Sequence, residues 1–225
     1  MTTHSHFQRS APRYSEQGSR SKAAAMPSLN PLYLLTAVLL IIALVFAGPA
    51  AAEVKTYKID DEHFAITFEV DHLGYAPVIG MFLEASGEFE YDEDAKTVPS
   101  GKVVVKADSV FSNHDKRDDH LRKNDFLDVR RHGDITFEVT SFETTGENTG
   151  ELTGDLTLLG KTNPVTLDVA LNKSAVYPFG HEKYTLGLSA STTIKRSEWG
   201  MTYALDPLMV GDEVILRFEF EAILQ

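Results

Sequence analysis

Val214-Ile215-Leu216-Arg217-Phe218-Glu219-Phe220-Glu221-Ala222-Ile223-Leu224 is the stretch that decides the fold. Val214, Leu216, Phe218, Phe220, Ala222 and Leu224 share one parity, and Arg217, Glu219 and Glu221 take the other. Successive side chains of a strand point to opposite faces, so a period of two predicts a half-buried β-strand. The pattern recurs upstream in Phe64-Ile66-Phe68-Val70, Val103-Val105-Ala107, Ile135-Phe137-Val139 and Leu152-Gly154-Leu156-Leu158. It continues in Val165-Leu167-Val169-Leu171 and in Leu186-Leu188-Ala190-Ile194, while Met81 to Tyr91 reads as an eighth strand of less clear parity. Turn residues separate these runs at Pro99-Ser100-Gly101, Gly146 to Gly150, Gly160 to Pro164 and Pro178-Phe179-Gly180. Helical periodicity is confined to Ser112–Val129 and amounts to a turn or two. Many short strands at this spacing predict an all-β sandwich or barrel. Eight are enough to close a barrel, which either fills itself with side chains or holds one small ligand.

Residues 1–52 read as a targeting segment. Leu32 to Ala47 is an uncharged apolar run, shorter than the about 20 residues a spanning helix needs. It follows Arg9, Arg13, Arg20 and Lys22 and precedes small residues that fit cleavage near Ala52. The expectation is export to the periplasm or the outside, with residues 53–225 as one domain. An uncleaved N-terminal anchor is the alternative, and Met26 is an alternative start.

Composition narrows the function. The 225 residues carry a net charge of −12, which argues against nucleic acid as a partner because phosphate binding needs a basic surface. The chain has no cysteine, so thiolate metal sites, disulfides and cysteine nucleophiles are excluded. No G-x-S-x-G elbow or glycine-rich phosphate loop is present, and nothing places a nucleophile beside a base. The reading is a non-enzyme without a cofactor. His114, Asp115, Asp118 and His120 lack the i, i+4 spacing of a helical zinc pair and read better as a capped, solvated helix.

Several stretches resemble the YceI-like family of periplasmic, lipocalin-like lipid-binding proteins. They include Phe68 to Gly74, Gly80-Met81-Phe82, Gly87-Glu88-Phe89, Arg117 to Leu121, Asn124-Asp125-Phe126 and Ile135-Thr136-Phe137. Gly154 to Gly160, Pro164 to Leu167, Ile194 to Met201 and Val210 to Val214 complete the set. Each is weak alone; their order and spacing make the signal specific, from Tyr57 to Leu224. Asp128 to Gly133 departs from the family pattern, which has an aromatic and a proline near there. The resemblance implies an eight-stranded antiparallel lipocalin-like barrel with a short helix. It also implies an apolar lumen that binds a polyisoprenoid or other long-chain lipid, and no shared catalytic set.

With strand parity, the resemblance gives a candidate lumen: Phe64, Ile66, Phe68, Val70, Val103, Val105, Ile135, Phe137, Leu156, Leu167, Leu186, Leu188, Trp199, Phe218 and Phe220. Trp199, the single tryptophan, could wall the lumen or plug one end. His72, Arg117, His120 and Arg196 are candidates for the mouth, where basic groups would meet a headgroup. Two other readings stay open: an outer-membrane barrel with its apolar face outward, and a stress-related structural protein with a filled core. The sequence also leaves open whether two copies pair along exposed edges.

Overall fold

The computed structural model describes residues 53–206 and 209–225. The stretch read from sequence as a targeting segment, with its expected cleavage near Ala52, lies outside the described residues. The described part is built from β1 (Val54–His72), β2 (Val78–Phe82), β3 (Ala85–Asp92), β4 (Thr97–Lys106), β5 (Val110–Phe111), α1 (Asp115–Leu121), β6 (Asp134–Thr144), β7 (Thr149–Leu158), β8 (Lys161–Val176), β9 (Tyr184–Lys195) and β10 (Val210–Leu224). The sheet runs β10-β9-β8-β7-β6-β4-β3-β1-β2-β5, and the additional β10–β1 pairing closes it. All strand pairings within it are antiparallel.

The ten strands make eight staves. β2 and β3 pair with opposite halves of β1, Val70↔Val78 at one end and Val54↔Asp92 at the other. They are one strand bent at Leu83-Glu84. Ser109 pins the bend: its hydroxyl accepts from the N–H groups of both Leu83 and Glu84 at 3.1 Å. β4 and β5 bend alongside, through a single 3-10 turn at Ala107–Ser109. The eighth strand expected over Met81 to Tyr91 is therefore present, broken in the middle, and the break accounts for its blurred parity.

β1 holds the largest departure from a plain period of two. Ile59 faces Ala222, but the next partner pair is Phe64 with Phe220, so Asp60 to His63 bulge outward. The bulge carries more residues on β1 than on β10 and switches parity. Tyr57 and Ile59 point inward on odd numbers, whereas Phe64, Ile66, Phe68 and Val70 do so on even ones. A smaller bulge between Val139 and Ser141 does the same in β6, handing the inward face from Val139 to Phe142. Bulges bend strands and add twist, which a closing sheet needs.

The outer face carries cross-strand ion pairs: Lys102–Glu138 at 2.6 Å, Lys106–Asp134 at 2.8 Å and Arg217–Glu69 at 3.2 Å. The inner face forms two apolar clusters. One surrounds Val110, Leu127, Leu158, Ile194 and Trp199; the other surrounds Tyr57, Leu186 and Ala222 at the opposite end. α1 is capped by His114, whose side chain accepts from the Arg117 N–H at 3.3 Å. Buried Asp118 accepts from the Ser112 N–H at 2.8 Å and from its hydroxyl.

Candidate functional site

Between the two clusters the lumen holds a cavity of about 300 Å³. It reaches the lower end of the size range of small-molecule sites. A single water needs about 10–15 Å³ of such space, so the cavity is far larger than a packing defect. Phe64, Ile66, Phe68 and Val70 of β1 line it, with Val103 and Val105 of β4 and Ile135 and Phe137 of β6. Leu156 of β7, Leu167 of β8, Leu186 and Leu188 of β9, and Phe218 and Phe220 of β10 complete the predicted lining.

Phenylalanine rings do not fill the lumen because some lie against glycine. A Cβ on Gly154 would stand 2.4 Å from Phe137 Cζ and 2.6 Å from the Glu138 carbonyl oxygen. A Cβ on Gly80 would stand 2.2 Å from Phe68 Cζ. Each ring thus lies down over a backbone that has no side chain. The neighbouring aromatic occupies the volume that each glycine leaves.

Trp199 does not line the cavity. It is 1% exposed, packs in the first cluster, and donates its indole N–H to the Leu156 carbonyl at 3.0 Å. It plugs the floor at that end.

Of the four predicted mouth residues, only Arg196 is among the lining. Arg196 lines the cavity, but it is 2% exposed and saturated by the backbone. Its guanidinium donates to the carbonyls of Gly211, Met201, Tyr203 and Val210 at 2.8–3.0 Å. Burial lowers its pKa and the charge of Asp212 opposes that shift. It ties down the β9–β10 connection and has little left to offer a headgroup. Arg117 donates to the Ser112 hydroxyl at 2.7 Å and to the Ser112 carbonyl, and is not part of the lining. His120 sits 2.9 Å from Asp125 and packs edge-on against Phe126 and Tyr203. His72 is exposed at the end of β1, also outside the lining. Sequence could not show this, because a cation's usefulness depends on which partners the fold brings to it.

What closes that end is α1 with its following loop, through Leu121, Phe126 and Leu127, which the sequence reading missed. Polar lining gathers at the other end instead, on the β3–β4 and β6–β7 turns: Lys96, Thr144, Glu147, Asn148 and Thr149. Lys96 reaches the Glu147 carbonyl at 2.6 Å, and Thr144 donates to the Lys96 carbonyl at 3.2 Å. The sequence signal was only that both segments are turns; their meeting across the barrel is tertiary.

The histidine–carboxylate set considered near α1 is not assembled, since His114, Asp118 and His120 have separate partners. The β1 bulge instead brings one ligand atom each from Asp60, His63 and Glu221 within 4.8 Å of one another, an arrangement that could hold a metal ion. His63 Nδ1 lies 2.8 Å from Asp60 and 3.9 Å from Glu221. The Asp60 hydrogen bond raises the His63 pKa. Burial alone would raise that of Asp60, but the His63 and Glu62 hydrogen bonds hold it below the ordinary value.

A family model described as the YceI-like domain matches residues 57–222. The chain belongs to the YceI-like family. A protein of this family from Shewanella sp. strain ANA-3, named only as UPF0312, is 36% identical over 174 residues, covering 76% of this chain and 90% of the relative. Another, from Shewanella sp. strain W3-18-1, is 38% identical over 173 residues, with the same coverage. The Campylobacter jejuni YceI structure is 27% identical with a TM-score of 0.63, covering 69% of this YceI-like chain and 90% of that one. BcnA of Burkholderia cenocepacia matches at 21% identity and a TM-score of 0.64, over 72% and 98% of the two chains. A polyisoprenoid-binding domain from Saccharophagus degradans matches at 13% and 0.56, over 77% and 100%. At those identities the last two show the barrel fold alone.

Proposed function

We propose that this YceI-like chain is a non-catalytic carrier, exported to the periplasm or beyond, that shelters the hydrocarbon tail of a long-chain amphiphile in its lumen. The observation that carries the reading is the cavity: closed by eight staves, lined on every stave by apolar side chains, and edged with polar residues at one end. Each buried methylene contributes about 0.8 kcal/mol and immobilisation costs about 4 kcal/mol or more, so a tail of fewer than about five methylenes gains nothing. That favours long chains. The polyisoprenoid-binding description of the Saccharophagus domain supports the same ligand class, at the level of a shared fold.

The outer-membrane alternative needs an apolar band facing lipid. Here the apolar parity faces inward and Lys102, Glu138, Lys106, Asp134, Arg217 and Glu69 pair on the outside, which favours the carrier. Solvent extraction of the purified protein followed by mass spectrometry tests the reading. A long-chain lipid in stoichiometric yield is expected; an empty extract, with no uptake of added lipid, would return the lumen to a structural role. Release by osmotic shock tests export separately.

A further inference from the structure

We propose that Asp60, His63 and Glu221 form a binding site for a zinc-class divalent cation, outside the lumen, at the seam where β1 and β10 close the sheet. Four residues, Asp60-Asp61-Glu62-His63, stand against Glu221 alone between the pairs Ile59↔Ala222 and Phe64↔Phe220. None of the three ligand residues belongs to the cavity lining, so the site operates whatever the lumen holds. His63 Nδ1 lies 2.8 Å from Asp60 Oδ2 and 3.9 Å from Glu221 Oε2. Ligands about 2.1 Å from a tetrahedral ion stand about 3.4 Å apart, and the two separations bracket that edge. A second observation points to a ligand: Glu221 Oε2 is a buried atom with no hydrogen-bond partner. Buried carboxylate oxygens are rarely left so, and a bound ion is one way they are satisfied.

The surroundings hold the ligands in place. Asp60 Oδ1 accepts from the Glu62 N–H at 3.0 Å, which leaves Oδ2 to face His63. Such outer hydrogen bonds orient ligating carboxylates. The β10 residue Glu221 pairs with Gly187 of β9, and a Cβ built there would meet only the Lys173 carbonyl, at 4.0 Å. Space beside the Glu221 carboxylate is therefore open. The β8–β9 hairpin covers the cluster: the Tyr177 ring lies 6.4 Å from that of His63 and 4.7 Å from that of His181. Burial raises the Tyr177 pKa, and Glu221 and Asp60 raise it further. Exposed Asp61 and Glu62 add to the negative field that draws a cation. The ion takes the place of the proton between His63 and Asp60, which passes to solvent. One imidazole nitrogen and two carboxylates, with water in the fourth position, suit zinc or copper(II). Calcium and magnesium prefer six or more oxygens, about twice what this site supplies.

The test is calorimetric titration of the metal-stripped, tag-free protein with Zn²⁺, and with Mg²⁺ and Ca²⁺ for comparison. Zn²⁺ should bind with micromolar or tighter affinity and raise the melting temperature, because the site exists only in the folded state. Mg²⁺ and Ca²⁺ at the same concentration should do neither. His63→Ala and the isosteric Glu221→Gln should each weaken Zn²⁺ binding about tenfold or more. His120→Ala, which removes the histidine–carboxylate pair with Asp125, should leave it unchanged. Electron paramagnetic resonance with Cu²⁺ should show a bound imidazole nitrogen that His63→Ala abolishes. Melts in metal-free buffer check that each variant folds; should His63→Ala fail to fold, Glu221→Gln decides alone. Folded wild type that binds no Zn²⁺, or binding equally strong in the folded variants of His63 and Glu221, would overturn the site. Binding lost in His120→Ala but kept in Glu221→Gln would move the ion to α1 and overturn it as well.

Discussion

Arg196 is held by four backbone carbonyls of the β9–β10 connection, an arrangement that Lys, with a point charge in place of a fork, does not reproduce. Arg196→Met should leave those carbonyls unpaired beside the lumen and destabilise the fold by about 3–5 kcal/mol in urea titration. Arg196→Lys should recover only part of the loss. If Arg196 were a headgroup contact instead, Arg196→Met would weaken lipid retention at unchanged stability. Gly154 makes a second residue-scale claim. Gly154→Ala should cost about 1–3 kcal/mol, because the Phe137 ring and the Glu138 carbonyl both stand closer than a real Cβ permits. The displaced ring has only the cavity to enter, so lipid capacity should fall as well. A variant as stable and as well loaded as wild type would show that the ring does not lie over the glycine.

At the scale of elements, the bulge in β1 joins register, charge and pH. Asp60 and His63 leave the ladder there, and each shifts the other's titration. The depressed Asp60 contributes stability that is full above its ordinary value of about 3.9 and is lost as pH falls through the lowered one. The raised His63 contributes stability that is full below its ordinary value of about 6.5 and is lost as pH climbs through the elevated one. Thermal melts of wild type and Asp60→Asn should therefore differ most at mildly acidic pH and converge towards both extremes. A difference independent of pH would mean that the pair contributes only its neutral hydrogen bond. The same bulge limits how far periodicity can be read. Tyr57 and Ile59 face inward like Phe64 and Ile66 but carry the opposite parity, and no local sequence rule places the switch. α1 was more legible, because the short helical stretch and its cap, made by His114, are local features.

For the molecule as a whole, the division between an apolar inside and a charged outside predicts how substitutions sort. Phe218→Asp or Leu188→Glu should abolish lipid retention, because a buried unpaired carboxylate would face a dry cavity. Glu151→Lys, on the exposed face of β7, should leave retention intact. Retention by folded Phe218→Asp and Leu188→Glu proteins would mean that lipid binds elsewhere. The stave residues could be named from sequence because a strand exposes a whole parity to one side. The mouth could not be named, because Lys96 and Glu147 are far apart in the chain and meet only across the closed barrel.

Alternation and turn chemistry by themselves determined that the chain from residue 53 onward is built mainly of short strands with one greasy face, since both signals are local. Resemblance supplied the eight-stranded closure. Tertiary structure alone decided where the parity flips, that Trp199 is a floor and Arg196 a brace, and which end of the lumen is polar. These depend on how bulges, turns and bent strands meet once the sheet closes, and contacts between distant segments leave no periodic trace in the chain.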